Sequence, residues 1–299
     1  MKKKLLAFLL LLSLLLSGCA EIEAPETTAT AAPVSGSGLT VHFIDVGQAD
    51  CMLLIAGDTT VLIDGGNTDT AADVLSYLRR FGVEELDLVV NTHPHGDHLG
   101  GLPTVISGIP TKTVWTSSLS YDSYNFSRFL ENARQQDSLV QVPAPGTTYK
   151  AGGLIITVLG PVGANYVDLN DTSLVLMVQY GSRKFLFTGD MEALAENQLV
   201  DKGVDLNVDV LKVGHHGSYS STSQVFLNRV DPEYGIICCG RNNEYGHPHD
   251  APLNRLGKAD VTLFRTDLMG DVIAVTDGKT LAFFLESGDT SLTGYEKVA

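Results

Sequence analysis

Basic residues are scarce in this chain. Lys and Arg number 20 against 35 Asp and Glu, a formal net charge of −15. A nucleic-acid binder that works through bulk electrostatics is normally basic, so that class is excluded. A polyanionic substrate would have to be held locally, most simply by a metal. Charge of either sign is sparse, at 18% of residues against 44% hydrophobic, which excludes a chain kept unfolded by its own charge. Long apolar runs are missing except for one near the N-terminus, so a polytopic membrane protein is excluded as well. Cysteine is rare, with 4 in 299 residues and no C-x-x-C pair, which argues against a cysteine zinc site. Cys238 and Cys239 end the run Tyr234-Gly235-Ile236-Ile237 and read as core positions of a strand.

The one apolar run, Leu5 to Leu16, is broken only by Ser13 and follows Lys2, Lys3 and Lys4. It is short for a bilayer span and suits a secretion signal. Leu16-Ser17-Gly18-Cys19 then resembles a bacterial lipobox. That resemblance implies a signal peptide over residues 1–18 and a diacylglyceryl group on Cys19. Residues 19–38, rich in Ala, Thr, Pro, Ser and Gly, are expected to form a flexible tether. The folded domain is then 39–299, held on the extracytoplasmic face of the cell membrane by its acyl chains.

Within that domain, apolar β-rich segments predict strands at 40–46, 52–55, 61–63, 86–91, 114–115, 154–159, 173–180, 184–188, 208–213, 234–238, 261–265, 271–276 and 280–285. Helical spacing predicts helices at 70–81, 123–136 and 194–202, with another near Ser223 to Arg229. Strands outnumber helices, and helices fall between groups of strands. The expected architecture is a single α/β domain with two β-rich halves and helices outside.

The chemistry concentrates in His93-Pro94-His95-Gly96-Asp97-His98, which packs three imidazoles and a carboxylate into one loop after an apolar strand. Imidazole and carboxylate suit zinc, manganese and iron. Alternation lets His93 and His95 serve one position while Asp97 and His98 reach a second, so two adjacent ions are expected. Asp190 and His215 also follow apolar strands on short glycine-containing loops, where sites usually lie.

This H-x-H-x-D-H run resembles the metallo-β-lactamase superfamily. Phe43-Ile44-Asp45-Val46-Gly47-Gln48-Ala49-Asp50 resembles the opening motif of its ComEC-type competence subgroup, with Ala49 where Gly is usual. Leu62-Ile63-Asp64-Gly65-Gly66, Phe187-Thr188-Gly189-Asp190, Lys212-Val213-Gly214-His215-His216-Gly217-Ser218 and Tyr245-Gly246-His247-Pro248 follow in order. The resemblance implies a four-layer αββα sandwich holding two divalent ions, zinc or manganese. It places His93 and His95 on the first ion, Asp97, His98 and His215 on the second, and Asp190 across both. His216 is the alternative to His215, or a supporting group. Asp97 and His247 are the expected catalytic residues, with His247 contacting phosphate or protonating a leaving oxygen. Asp45 and Asp64 are expected to brace loops, and His42 to be structural.

One ligand expected of the superfamily is absent, because no histidine lies between His98 and His215. Hairpin pairing of 173–180 with 184–188 brings Asn170 or Asp171 to the vacant region. An oxygen there would shift preference from zinc towards manganese. The functional expectation is a monomeric, membrane-anchored, metal-dependent phosphodiesterase or nuclease acting on extracellular DNA beside the DNA-uptake machinery. The alternatives are a hydrolase of another ester, amide or thioester, and a non-catalytic DNA-capture lipoprotein.

Overall fold

A computed structural model describes residues 38–286 and 295–298. The expected signal peptide and Cys19 lie outside the described residues, as does the tether apart from residue 38. Two sheets carry the fold. The first contains nine strands in the spatial order Tyr295–Lys297, Leu281–Glu286, Val272–Thr276, Leu39–Phe43, Met52–Ala56, Thr59–Ile63, Leu86–Asn91, Thr111–Thr116, Leu139–Gln141. The second contains seven, in the order Thr262–Arg265, Tyr234–Ile237, Val210–Lys212, Arg183–Phe187, Val175–Tyr180, Leu154–Gly160, Thr148–Ala151.

Alternation along each strand builds the layers. In Leu86–Asn91, Leu88 and Val90 enter the core between the sheets while Val89 faces outward. In Arg183–Phe187, Phe185 and Phe187 enter the same core and Leu186 faces outward. The outer face of the first sheet is covered by the helices Ala71–Arg80, Leu102–Gly108 and Tyr124–Gln135 through Val74, Leu78, Val105, Ile106, Phe126 and Phe129. The outer face of the second is covered by Ala193–Asp201, Gln224–Val230 and Asp250–Lys258 through Leu199, Phe226, Leu227 and Leu256. The result is the expected four-layer αββα sandwich. Central strands buried on both faces read as continuous apolar runs, which is why the sequence marks them clearly.

The edge strands Leu139–Gln141 and Thr148–Ala151 escaped that reading. They are short and largely exposed, with no apolar face to signal them. The helices Leu102–Gly108 and Asp250–Lys258 were missed too, although Pro103 in the first turn of one and Asp250 in the first turn of the other are ordinary start signals.

The placement that matters for chemistry comes from parallel pairing. Thr59–Ile63, Leu86–Asn91 and Thr111–Thr116 run parallel in one sheet. Arg183–Phe187, Val210–Lys212, Tyr234–Ile237 and Thr262–Arg265 run parallel in the other. Parallel strands end on a common edge, and ligands of α/β sheets collect there. Asp64, His93, Asp190, His215 and His216 all lie within a few residues of such an end.

Candidate metal centre

The loop after Leu86–Asn91 is braced by its neighbours. Asn91 Nδ2 donates to the His93 carbonyl (2.7 Å), and the amides of Asp50 and Gly65 donate to the carbonyls of Asp97 (3.1 Å) and His98 (2.7 Å). These bonds tie the 50 and 65 motifs to the histidine loop. His93 Nε2 and His95 Nδ1 face each other at 3.0 Å, two nitrogens aimed at one position.

Asp190 is the hub. Its Oδ2 lies 3.2 Å from His98 Nε2, 3.5 Å from His216 Nε2, 3.7 Å from His215 Nε2 and 3.9 Å from His93 Nε2. Its backbone N–H donates to Ser173 Oγ (3.1 Å), which sets the carboxylate's position. Ligand atoms of Asp97, His98, Asp190 and His216 all lie within 4.8 Å of one another. His216 therefore takes the place that the sequence reading gave to His215 in this four-residue group. The cause is local backbone. His215 (φ 48°) and His216 (φ 52°) both adopt left-handed conformation, followed by Gly217 at φ 82°, so neither strand nor helix periodicity sorts their directions. A carbonyl from another strand does: His216 Nδ1 donates to Cys238 O at 2.8 Å, and its Nε2 is turned to Asp97 Oδ2 at 3.3 Å. His215 Nδ1 instead meets Glu192 Oε1 at 3.0 Å.

The supporting shell fixes which nitrogen each ring presents. The Asp64 carboxylate accepts from Thr92 N (2.8 Å), Thr92 Oγ1 (2.7 Å) and His98 Nδ1 (2.8 Å), leaving His98 Nε2 to face Asp190. Asp64 thus braces the loop as expected, from a left-handed position at φ 57°. His42 is buried and both of its ring nitrogens are bonded elsewhere, to Tyr77 and Thr40. Glu192 was not singled out in the sequence; its Oε1 collects His215 Nδ1, Ser220 Oγ and Asn170 Nδ2. Lys212 and Asp50 were missed as a pair: both fully buried, they meet at 2.5 Å, and Asp50 Oδ1 lies 3.3 Å from His216 Nδ1.

The electrostatics suit cations. Burial opposes charge on His216, but Asp190 and Asp50 outweigh it and push its pKa up to about 10. His98 is raised against burial by Asp190, Asp64 and Asp97, while Asp190 is held low against burial by His98 and His216. Protons balance the carboxylates here, and a bound cation would displace them. Two buried oxygens, Asp190 Oδ1 and Asn170 Oδ1, have no hydrogen-bond donor among the described residues. Unmatched buried acceptors are costly, and a divalent ion would satisfy them, so the donor set fits a divalent cation. Asp171 is committed elsewhere: its Oδ1 accepts from Glu192 N and Ala195 N at the start of the helix Ala193–Asp201.

These groups open into a cleft of about 350 Å³ that also includes Gln48, Tyr245 and His247. Among the described residues, no Lys or Arg lines it. Burial, with His216 and His215 beside it, lowers the His247 pKa to about 4.

Fold and cluster together define a metallohydrolase sandwich, with its ligand groups where parallel strands end. The chain belongs to the metallo-β-lactamase superfamily, whose model matches residues 44–241. Members of that superfamily are typically metal-dependent hydrolases. The chain is 34% identical over 242 residues to competence protein ComA of Neisseria gonorrhoeae, covering 80% of this chain and 32% of the relative. It is 29% identical over 250 residues to ComE operon protein 3 of Bacillus subtilis, covering 78% and 32%. The chain thus spans about a third of the length of these curated relatives. Among solved structures, the metallo-β-lactamase fold protein YhfI of Bacillus subtilis aligns with a TM-score of 0.51 at 15% identity, covering 76% of this chain and 95% of that one.

Proposed function

We propose that this protein is a membrane-tethered, two-metal phosphodiesterase acting on DNA outside the cell. The observation that carries the reading is Asp190 Oδ2, ringed by the Nε2 atoms of four histidines at the mouth of an open cleft. His98, His216, Asp97 and Asp190 would hold one ion; His93, His95 and Asp190 would hold the other, with Asn170 Oδ1 or His215 Nε2 on its open side. When bound, two divalent cations supply the Lewis-acid charge that activates water at neutral pH and stabilises both oxygens of an in-line displacement. The chain's residues orient this centre: Asp64, Glu192 and the Cys238 carbonyl fix the rings, and His247 offers a hydrogen bond to a substrate oxygen. The competence relatives favour DNA as the phosphodiester, and the lipobox-like Cys19 favours a surface location near uptake machinery.

The purified protein, loaded with manganese or zinc, is expected to cleave DNA and simple phosphodiesters. Because no Lys or Arg among the described residues lines the cleft, the affinity for DNA should fall only weakly with salt. The slope of log K against log salt should correspond to about one or two phosphates, well short of the ~6–10 contacts of an electrostatic binder. Cleavage of carboxylic esters or thioesters but no phosphodiester would move the protein to another hydrolase class. DNA binding without turnover, with a steep salt slope, would favour the capture module. Cys19→Ala should release the protein from the membrane fraction; unchanged fractionation and gel mobility would remove the anchor.

A further inference from the structure

We infer that Gln48 is a positioning residue that keeps His247 protonated on Nε2, so that His247 meets substrate as a neutral hydrogen-bond donor and is barred from binding metal. The orientation of the Gln48 amide follows from its partners. Gly240 N–H lies 3.0 Å from Gln48 Oε1. A backbone N–H can only donate, so this end is the carbonyl. The other end, Nε2, faces His247 Nδ1 at 3.1 Å. An amide NH₂ also only donates, so Nδ1 is the acceptor and carries no proton. The proton of the neutral ring then sits on Nε2.

Three other rings of the cluster carry the opposite arrangement. His98 Nδ1 meets the Asp64 carboxylate, His215 Nδ1 meets the Glu192 carboxylate, and His216 Nδ1 meets the Cys238 carbonyl. Each partner accepts, so each proton is drawn to Nδ1 and each Nε2 keeps its lone pair for a cation. His247 has a donor where they have acceptors, and its Nε2 has no lone pair to give. The polarity of the Nδ1 partner therefore separates these three rings from His247.

The arrangement is held from both sides. Asn67 Nδ2 donates to Gln48 O (3.1 Å), and Asn243 clamps the backbone of His247, accepting its N–H (3.0 Å) and donating to its carbonyl (2.6 Å). A Cβ at Gly240 would fall 2.7 Å from Gln48 N, so only glycine lets the two loops approach this closely. The His247 ring lies near-parallel to Tyr245 (centroids 5.7 Å apart) and to His216 (6.3 Å), which limits its rotation.

The donor role deepens the phosphodiesterase reading and rests on it for the identity of the substrate oxygen; the tautomer does not. The test is long-range ¹H–¹⁵N correlation of histidine-labelled protein, metal-free and zinc-loaded, near neutral pH. His247 should show a protonated Nε2 and an unprotonated Nδ1 in both forms. Gln48→Glu replaces the donor with an acceptor and should move the proton to Nδ1, while Gln48→Ala should give a mixture. In parallel, Gln48→Glu should cut kcat by about 10²-fold, the effect of losing one donor to developing charge, with metal content unchanged. A wild-type His247 protonated on Nδ1, or a tautomer indifferent to Gln48→Glu, overturns the inference. If the tautomers behave as stated but wild-type protein cleaves no phosphodiester, the substrate reading falls and the tautomer assignment stands.

Discussion

Asp190→Ala should strip the protein of both cations and reduce turnover by about 10³-fold or more. Its Oδ2 lies within 4 Å of nitrogens from His93, His98, His215 and His216, so the proposed ions share it. Lewis-acid stabilisation is worth several kcal/mol, and each 1.36 kcal/mol is about tenfold in rate. Removing the carboxylate also takes a ligand from the His98, His216 and Asp97 group, so even a single retained ion should be weak. Elemental analysis of the variant after dialysis checks this directly. Asp64→Asn gives the graded comparison: a supporting carboxylate typically contributes 10–100-fold in metal affinity, so that variant should keep metal when the cation is in excess. Wild-type metal content in Asp190→Ala would end the bridging role.

The second large effect is on stability. Lys212 and Asp50 form a fully buried ion pair beneath the cluster. Burial penalises both charges, and each is kept ionised by the other, with His216 adding to the hold on Asp50. Deleting one partner leaves the other buried without its counter-charge, which costs about 3–5 kcal/mol, whereas replacing both with apolar groups of similar volume is often near neutral. Lys212→Met should therefore lower the urea midpoint strongly, and Lys212→Met with Asp50→Leu should recover much of the loss. The double variant should also bind metal more weakly, because Asp50 Oδ1 supports His216 Nδ1. A Lys212→Met change costing under about 1 kcal/mol would show that the pair carries little.

What the sequence made legible follows from how each feature is encoded. The two-sided burial of the central strands produces continuous apolar runs, so the sandwich and its loop positions could be read locally. The histidine loop was equally plain, because three imidazoles in six residues serve no packing purpose. The choice between His215 and His216 was not local. Both residues have positive φ, and the deciding contact is a carbonyl at Cys238, brought in by the neighbouring parallel strand. Asn170 and Asp171 were inseparable in sequence for the same reason: helix amides claim Asp171, while Asn170, which lines the cleft, has an Oδ1 with no donor among the described residues. Lys212 sat inside an apolar strand with no visible partner, since Asp50 lies in the other sheet's loops. Gln48 was quoted within a motif, but its role emerges only from Gly240 and His247, nearly 200 positions away.

The central claim is a dinuclear centre bridged by Asp190, with His216 on the ion shared by Asp97 and His98. Anomalous diffraction at the zinc or manganese edge from metal-loaded crystals measures it most directly. The account predicts two peaks about 3.5–4 Å apart, with Asp190 oxygens in ligand contact with both, and with His216 Nε2, His98 and Asp97 around one of them. A single peak, or a second ion held by His215 with His216 turned away, would contradict it.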